Sequence, residues 1–202
     1  LIVSGSKVIR LSCYIFVILF RILVVYLHSD HFKHTFMEDT AIPYELPEVE
    51  NHSFFFIDQR VETGLEAKLH QHDAWELYYV VHGYGNRMAG DTLQPFEAGD
   101  VALIPPSMLH RWKYTPDSAD EEGHVRYLMV AFSHSLVERC MQVFPELRNH
   151  LKNITFPVDA LKFGSESSRT IRRILSRMNN LDELERLCEM FRLLPVIFKS
   201  SD

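Results

Sequence analysis

The segment "HQHDAWELYYVVHG", residues 70–83, sets His70 and His72 two apart and places Glu76 four residues after the second. Neutral imidazoles and a carboxylate are ligand types that hold a divalent transition metal such as Fe, Mn, Ni or Zn. "WELYYVV" is rich in aromatic and β-branched residues, which favours a strand. Side chains alternate along a strand, so His70, His72 and Glu76 share one face. A second stretch, "HRWKY" at 110–114, alternates His110, Trp112 and Tyr114 with Arg111 and Lys113. One of its faces is aromatic with a histidine and the other is cationic. If the first face lines a barrel interior, His110 joins the other three there, with one or two coordination positions left for water or ligand. The same groups could instead hydrogen-bond within a metal-free polar pocket, and residue types alone leave both readings open. Eleven histidines in 202 residues make one H-x-H unremarkable, so the shared parity and the second stretch carry the argument.

These residues need a scaffold, and 53–132 reads as one. "SFFFID", "WELYYVV", "DVALIP", "HRWKY" and "VRYLMVAF" are strand-like, and "GYGN", "AGD" and "EAGD" between them are turn chemistry. Short, closely spaced strands predict an antiparallel sandwich or barrel. "PDSADEEG", 116–123, reads as a solvated acidic loop. Trp75 has the opposite parity to Glu76 and is expected in an outer core layer. After Phe132 the pattern turns helical. Ser135 and Glu138 have capping-box spacing, Ile171, Ile174, Leu175 and Met178 recur at helical intervals, and Asp182 with Glu185 caps a last helix. That helix carries Leu184, Leu187, Cys188, Phe191 and Leu194 on one stripe, and Pro195 is expected to bend or end it.

The chain is 47% apolar and 24% charged, with net charge -6, which suits one globular domain with appendages. Cys13, Cys140 and Cys188 are odd in number and far apart, so the expected setting is a reducing, cytoplasmic one without disulfides. Residues 1–36 differ from the rest. The run 8–27, "VIRLSCYIFVILFRILVVYL", is long enough to span a bilayer, but Arg21 interrupts it. The first methionine is Met37, so 1–36 reads as translated upstream sequence or a wrongly chosen start, with a membrane anchor as the alternative. Without 1–36 the chain loses Lys7, Arg10, Arg21, Lys33 and Asp30 and stands at -9. Such an acidic body is a poor surface for nucleic acid.

The spacing Gly64-x5-His70-x-His72-x3-Glu76-x6-Gly83 resembles the first cupin motif throughout, and Gly99-x5-Pro105-x-Ser107-x2-His110-x3-Tyr114 resembles the second. In the second motif Ser107 stands where the family usually has Gly, and Tyr114 where it has Asn. The resemblance implies a mainly β fold, a double-stranded β-helix (jelly-roll) barrel at 37–132 followed by helices at 133–202. It also implies His70, His72, Glu76 and His110 as metal ligands. A side chain at 107 is expected to be tolerated if the turn keeps a negative φ. More narrowly, "LHQHDAWELYYVVHGYGNRMAGDTLQPFEAGDVALIPPSMLHRWKY" is similar to the sensor domain of AraC-type bacterial transcription regulators, in which paired helices follow the barrel and a helix-turn-helix region follows them. No such DNA-reading region is visible before Asp202.

The resemblance implies ligand sensing and dimerisation. The expected effector is a small polar molecule, a sugar for example, with Tyr78, His82, Trp112 and Tyr114 as ligand-contact candidates and Arg87 as a further polar contact. The helical stripe at Leu184, Leu187, Phe191 and Leu194 is the expected homodimer surface, and the chain alone is expected to show no specific DNA binding. The competing reading is a metal-dependent cupin enzyme, a dioxygenase or sugar isomerase. No further acid or base stands out for it, whereas capped amphipathic helices after a barrel suit a regulator.

Overall fold

The computed structural model describes the backbone of 42–43 and residues 52–66, 68–151, 154, 157 and 159–198. The apolar run 8–27 and the rest of 1–36 lie outside the described residues. Among the described residues, no helix is long and apolar enough to cross a membrane.

Two five-stranded sheets form the body. The first contains β1 (Ile42–Pro43), β3 (His70–Gln71), β8 (His110–Tyr114), β5 (Gly85–Ala89) and β6 (Thr92–Phe96), in that spatial order. The second contains β10 (Leu161–Lys162), β7 (Val101–Ile104), β4 (Trp75–His82), β9 (His124–Phe132) and β2 (Phe54–Glu62). The pairings are antiparallel except β1 with β3. This mainly β, jelly-roll arrangement is the cupin architecture that the motif spacing implies. Four helices follow: α1 (His134–Val143), α2 (Pro145–Leu151), α3 (Ser165–Met178) and α4 (Glu183–Ile197).

Alternation along the strands of the second sheet sorts two cores. Tyr78, Val80, Ala102 and Val125 face inward and cluster with Phe96, Trp112 and Tyr114. Trp75, Leu77, Leu103, Val130 and Phe132 point outward and pack with the apolar faces of the helices. The helices supply Ile171, Ile174, Leu175 and Met178 from α3 and Met190, Leu193, Leu194 and Ile197 from α4. Both sets recur at helical spacing, which is why these segments dock as helices. Each such side chain, fully buried, contributes roughly 1.5–3 kcal/mol.

Several expectations shift. β5 and β6 occupy "GNRMA" and "TLQPF", whose only β-branched residue is Thr92, and Pro95 is tolerated because β6 is a sheet edge. The α1 cap is Ser133 rather than Ser135: the Ser133 side chain accepts from the Leu136 amide at 3.2 Å. Asp182 and Glu185 do form a reciprocal capping box. Pro195 lies inside α4, which ends two residues later at Ile197. The acidic loop is tied down as well as solvated, since Arg60 bonds Asp120 at 2.6 Å and Glu122 at 2.8 Å. Ser107 adopts φ +62, not the negative value its side chain prefers. Its amide donates to the His72 carbonyl at 2.8 Å, and that bond offsets part of the strain of a left-handed residue.

Candidate functional site

His70 and His110 are direct cross-strand partners on β3 and β8. His72 follows β3, and Glu76 enters from β4 in the opposite sheet. One ligand atom from each of the four lies within 4.8 Å of all the others, and all four residues are buried. The Glu76 Oε2 is 3.2 Å from His72 Nε2 and 3.4 Å from His110 Nε2. Ligands about 2.1 Å from a common ion sit roughly 3.0–3.4 Å apart in octahedral or tetrahedral geometry, so these two contacts match that spacing.

The imidazole orientations add to the fit. His70 Nδ1 lies 2.7 Å from the Lys68 carbonyl and His110 Nδ1 lies 2.8 Å from the Met108 carbonyl. A carbonyl oxygen only accepts, so each Nδ1 carries the proton and a neutral ring presents its Nε2 lone pair. Among the described residues, the buried His72 Nδ1 has no such hydrogen-bond partner. Burial pushes the Glu76 carboxyl upward, but His110 and His72 outweigh it and hold the group well below the usual range. Burial opposes a charge on His110, yet the Glu76 carboxylate wins and raises it. His70 is lowered, by burial first and by the charge on His110 second. The donor set and its geometry fit a divalent transition metal; the alternative is a charged hydrogen-bonded cluster.

Beyond the cluster, the interior is aromatic. Tyr78 stacks on Trp112 with ring centroids 3.9 Å apart and on Tyr127 at 4.6 Å. Tyr78 and Tyr114 join hydroxyl to hydroxyl at 3.2 Å. Gly83, at φ +104, leaves room for that tyrosine: a Cβ there would sit 2.7 Å from the Tyr114 ring. Burial raises both phenols, Tyr78 and Tyr114 alike. Neither is a ready base near neutral pH.

Of the four ligand-contact candidates, Tyr78, Trp112 and Tyr114 meet inside. His82 does not. The register of β4 against β9 shifts between Val80 and His82, and this bulge undoes the parity that would have turned His82 inward. It is exposed and borders a surface hollow with Asp58, Arg60, Asp120 and Arg126. Trp75 lies in the outer core, as its parity predicts. Tyr127 and Gln94 were not marked by the sequence. The parity of Tyr127 in "VRYLMVAF" held a signal for it; "TLQPF" held none for Gln94.

The segment 51–194 matches the family model described as the AraC-like ligand binding domain. The chain belongs to that family. A ligand-sensing domain is therefore the function class in hand. Similar solved structures include a cupin 2 conserved barrel domain protein from Salinispora arenicola, 22% identical, covering 48% of this chain and 76% of that one at a TM-score of 0.35. A predicted oxalate decarboxylase from Thermotoga maritima is 22% identical over 44% and 76%, with a TM-score of 0.36. A cupin-like protein from the same organism is 23% identical over 45% and 67%, with a TM-score of 0.37. At these values the likenesses say nothing about chemistry. No curated protein sequence matches the chain.

Proposed function

We propose that this AraC-like domain is the effector-sensing and dimerisation part of a bacterial transcription regulator. In this reading a small polar effector binds in the barrel beside a divalent metal held by His70, His72, Glu76 and His110. The observation that carries it is the build of β4. Glu76 and Tyr78 project into the interior, while Trp75 and Leu77, on the same strand, project into the helical layer. The Trp75 indole donates to His134 at 3.3 Å and meets the Phe198 ring at 5.1 Å. A ligand that shifts β4 from inside therefore pushes on both ends of the helical layer. A metal there would act as a Lewis acid or as an anchor for a ligand oxygen.

The surface for a second copy is the side of α4 that the barrel does not cover. Leu184 is 71% exposed and Val143 66%. Leu187 and Phe191 are half-buried, and Phe191 meets Phe144 at 5.1 Å. Leu194 faces the barrel core instead. An apolar face left on a sensor helix suits a two-fold contact. The test is sedimentation of the whole chain beside its Leu184→Glu variant, with and without candidate effectors. A dimer weakened by the variant is expected, because an exposed position cannot unfold the monomer. A monomeric wild type would remove the dimer, and sequence-specific retention of DNA by this chain would show an output surface beyond the one proposed.

A further inference from the structure

Next to the histidine cluster, one cross-strand pair carries two buried donor nitrogens without a protein acceptor among the described residues. Arg87 on β5 and Trp112 on β8 are direct partners, one inward-facing step along from the pair Ala89 and His110. That step is about 7 Å along a strand. Arg87 is 1% exposed and Trp112 4%. The guanidinium lies over the indole, 5.0 Å from its ring centroid. Its Nη2 donates to Gln94 Oε1 at 2.8 Å. Its Nη1 is buried with no protein acceptor, and so is the Trp112 Nε1. Both nitrogens can only donate. A buried arginine is rare without a paired anion, and an unpaired buried donor is costly. Burial depresses the Arg87 guanidinium, and only the more distant charge of Asp100 works against this.

We propose that Arg87 and Trp112 form an anion subsite for the carboxylate of a short organic acid, whose other oxygens reach toward the histidine cluster. The proposal rests on the sensor reading of the barrel and replaces a neutral sugar with an acid as the effector class. A carboxylate offers two coplanar acceptors, which match a guanidinium and an adjacent indole N–H. Tyr78, stacked on the other side of the indole, fixes the ring that carries the second donor.

The experiment uses the metal-loaded full chain and measures binding of malonate and succinate, against glycerol and L-arabinose as uncharged probes. Wild type is expected to bind at least one dicarboxylate. Arg87→Met is expected to weaken that binding about a hundredfold and Trp112→Phe about tenfold, the ordinary range for charged and neutral hydrogen bonds. Without ligand, Arg87→Met is expected to melt no lower than wild type, because it removes a charge that the empty protein leaves half-satisfied. An arginine of purely structural use would behave the other way, with a lower melting point and unchanged binding in the surviving fold. Trp112→Phe keeps an aromatic face for Tyr78 but removes the N–H together with part of the indole's volume, so its binding loss is read beside its own melting point and serves as the second variant if Arg87→Met fails to fold. Binding of arabinose or glycerol without the dicarboxylates would overturn the acid inference and leave the sensor reading intact. Failure of all four probes would count against both. Tighter binding of inorganic phosphate than of either dicarboxylate would overturn the carboxylate assignment.

Discussion

The two faces of the second sheet are built to opposite rules. Its outer face is closed by the helices: Leu77, Leu103 and Val130 are fully buried in an apolar cluster, and the buried Trp75 indole N–H is met by His134. On its inner side the barrel holds a carboxylate, imidazoles, three stacked aromatic rings and, among the described residues, buried Arg87 and Trp112 donors without a protein acceptor. The same strand, β4, serves both. The helical layer also leaves one such atom, the Glu189 Oε2, but that carboxylate is ion-paired with Arg177 and Arg192 through its other oxygen. The inner Arg87 has no ion-paired carboxylate among the described residues, an arrangement that a core made only for stability avoids. The difference teaches that the outer layer stabilises the fold, while the inner one gives up stability to hold something else.

The sharpest way to break this contrast is on the outer face. Leu77→Ala should destabilise the chain by roughly 2–5 kcal/mol through lost burial and a cavity, as a lower urea midpoint with an unchanged slope would show. A loss below 1 kcal/mol would mean that the helical layer is not a tight core. On the inner face the gain should come from outside. Zn2+ at about one hundred times its Kd should stabilise the chain by about 2.7 kcal/mol, and chelator should reverse this. A variant carrying His70→Ala and His72→Ala should show no such gain; an equal gain in both proteins would sink the ligand assignment.

A smaller effect lies in the turn at Ser107, within the second motif. Ser107→Gly should stabilise by up to about 1 kcal/mol, because glycine occupies φ +62 without strain. Thermal melts of the two proteins decide it, and a destabilised glycine variant would mean that the serine hydroxyl holds more than the turn. The smallest effect is at the surface. Asp120 is held down to about 2, first by Arg60 and then by the amide of His124. A carboxylate depressed in the folded state adds stability above its unfolded pKa of 3.8, and this is lost as pH falls through the folded value. Asp120→Asn should therefore flatten the acid side of the stability profile between about pH 4 and 2. An unchanged profile would show that the exposed pair is screened away.

Much of the fold was legible because period-2 and period-3.6 patterns are physical requirements of burial. "WELYYVV" and the α3 stripe left little choice, and the spacing of His70, His72 and Glu76 pointed to one face. What stayed hidden was local geometry that overrides a pattern. β6 carries Gln and Pro because a sheet edge tolerates them, and β5, with Gly and Asn, is held as a strand by pairing on both sides with β6 and β8. A single bulge turned His82 outward, which no count of alternation could foresee. Arg87 was visible only as a possible polar contact, since its burial depends on a hairpin that the sequence did not announce. The stripe on α4 also divided: Leu194 went to the core while Leu184 stayed in solvent, because the helix meets the barrel on a face rotated toward Met190 and Leu193.

The turn at Ser107 has a consequence for selectivity. Its amide grips the His72 carbonyl, while the rings of His70 and His110 are each tethered to a backbone carbonyl. The cage is therefore set before any ion arrives, and an ion must accept its dimensions. A loose set of side chains could spread around a large cation such as Ca2+, which asks for six to eight oxygens at 2.3–2.6 Å. As a metal site, this one, mostly nitrogen and pinned at three corners, would discriminate by ionic radius and softness, leaving abundant hard cations at a disadvantage against scarcer ones.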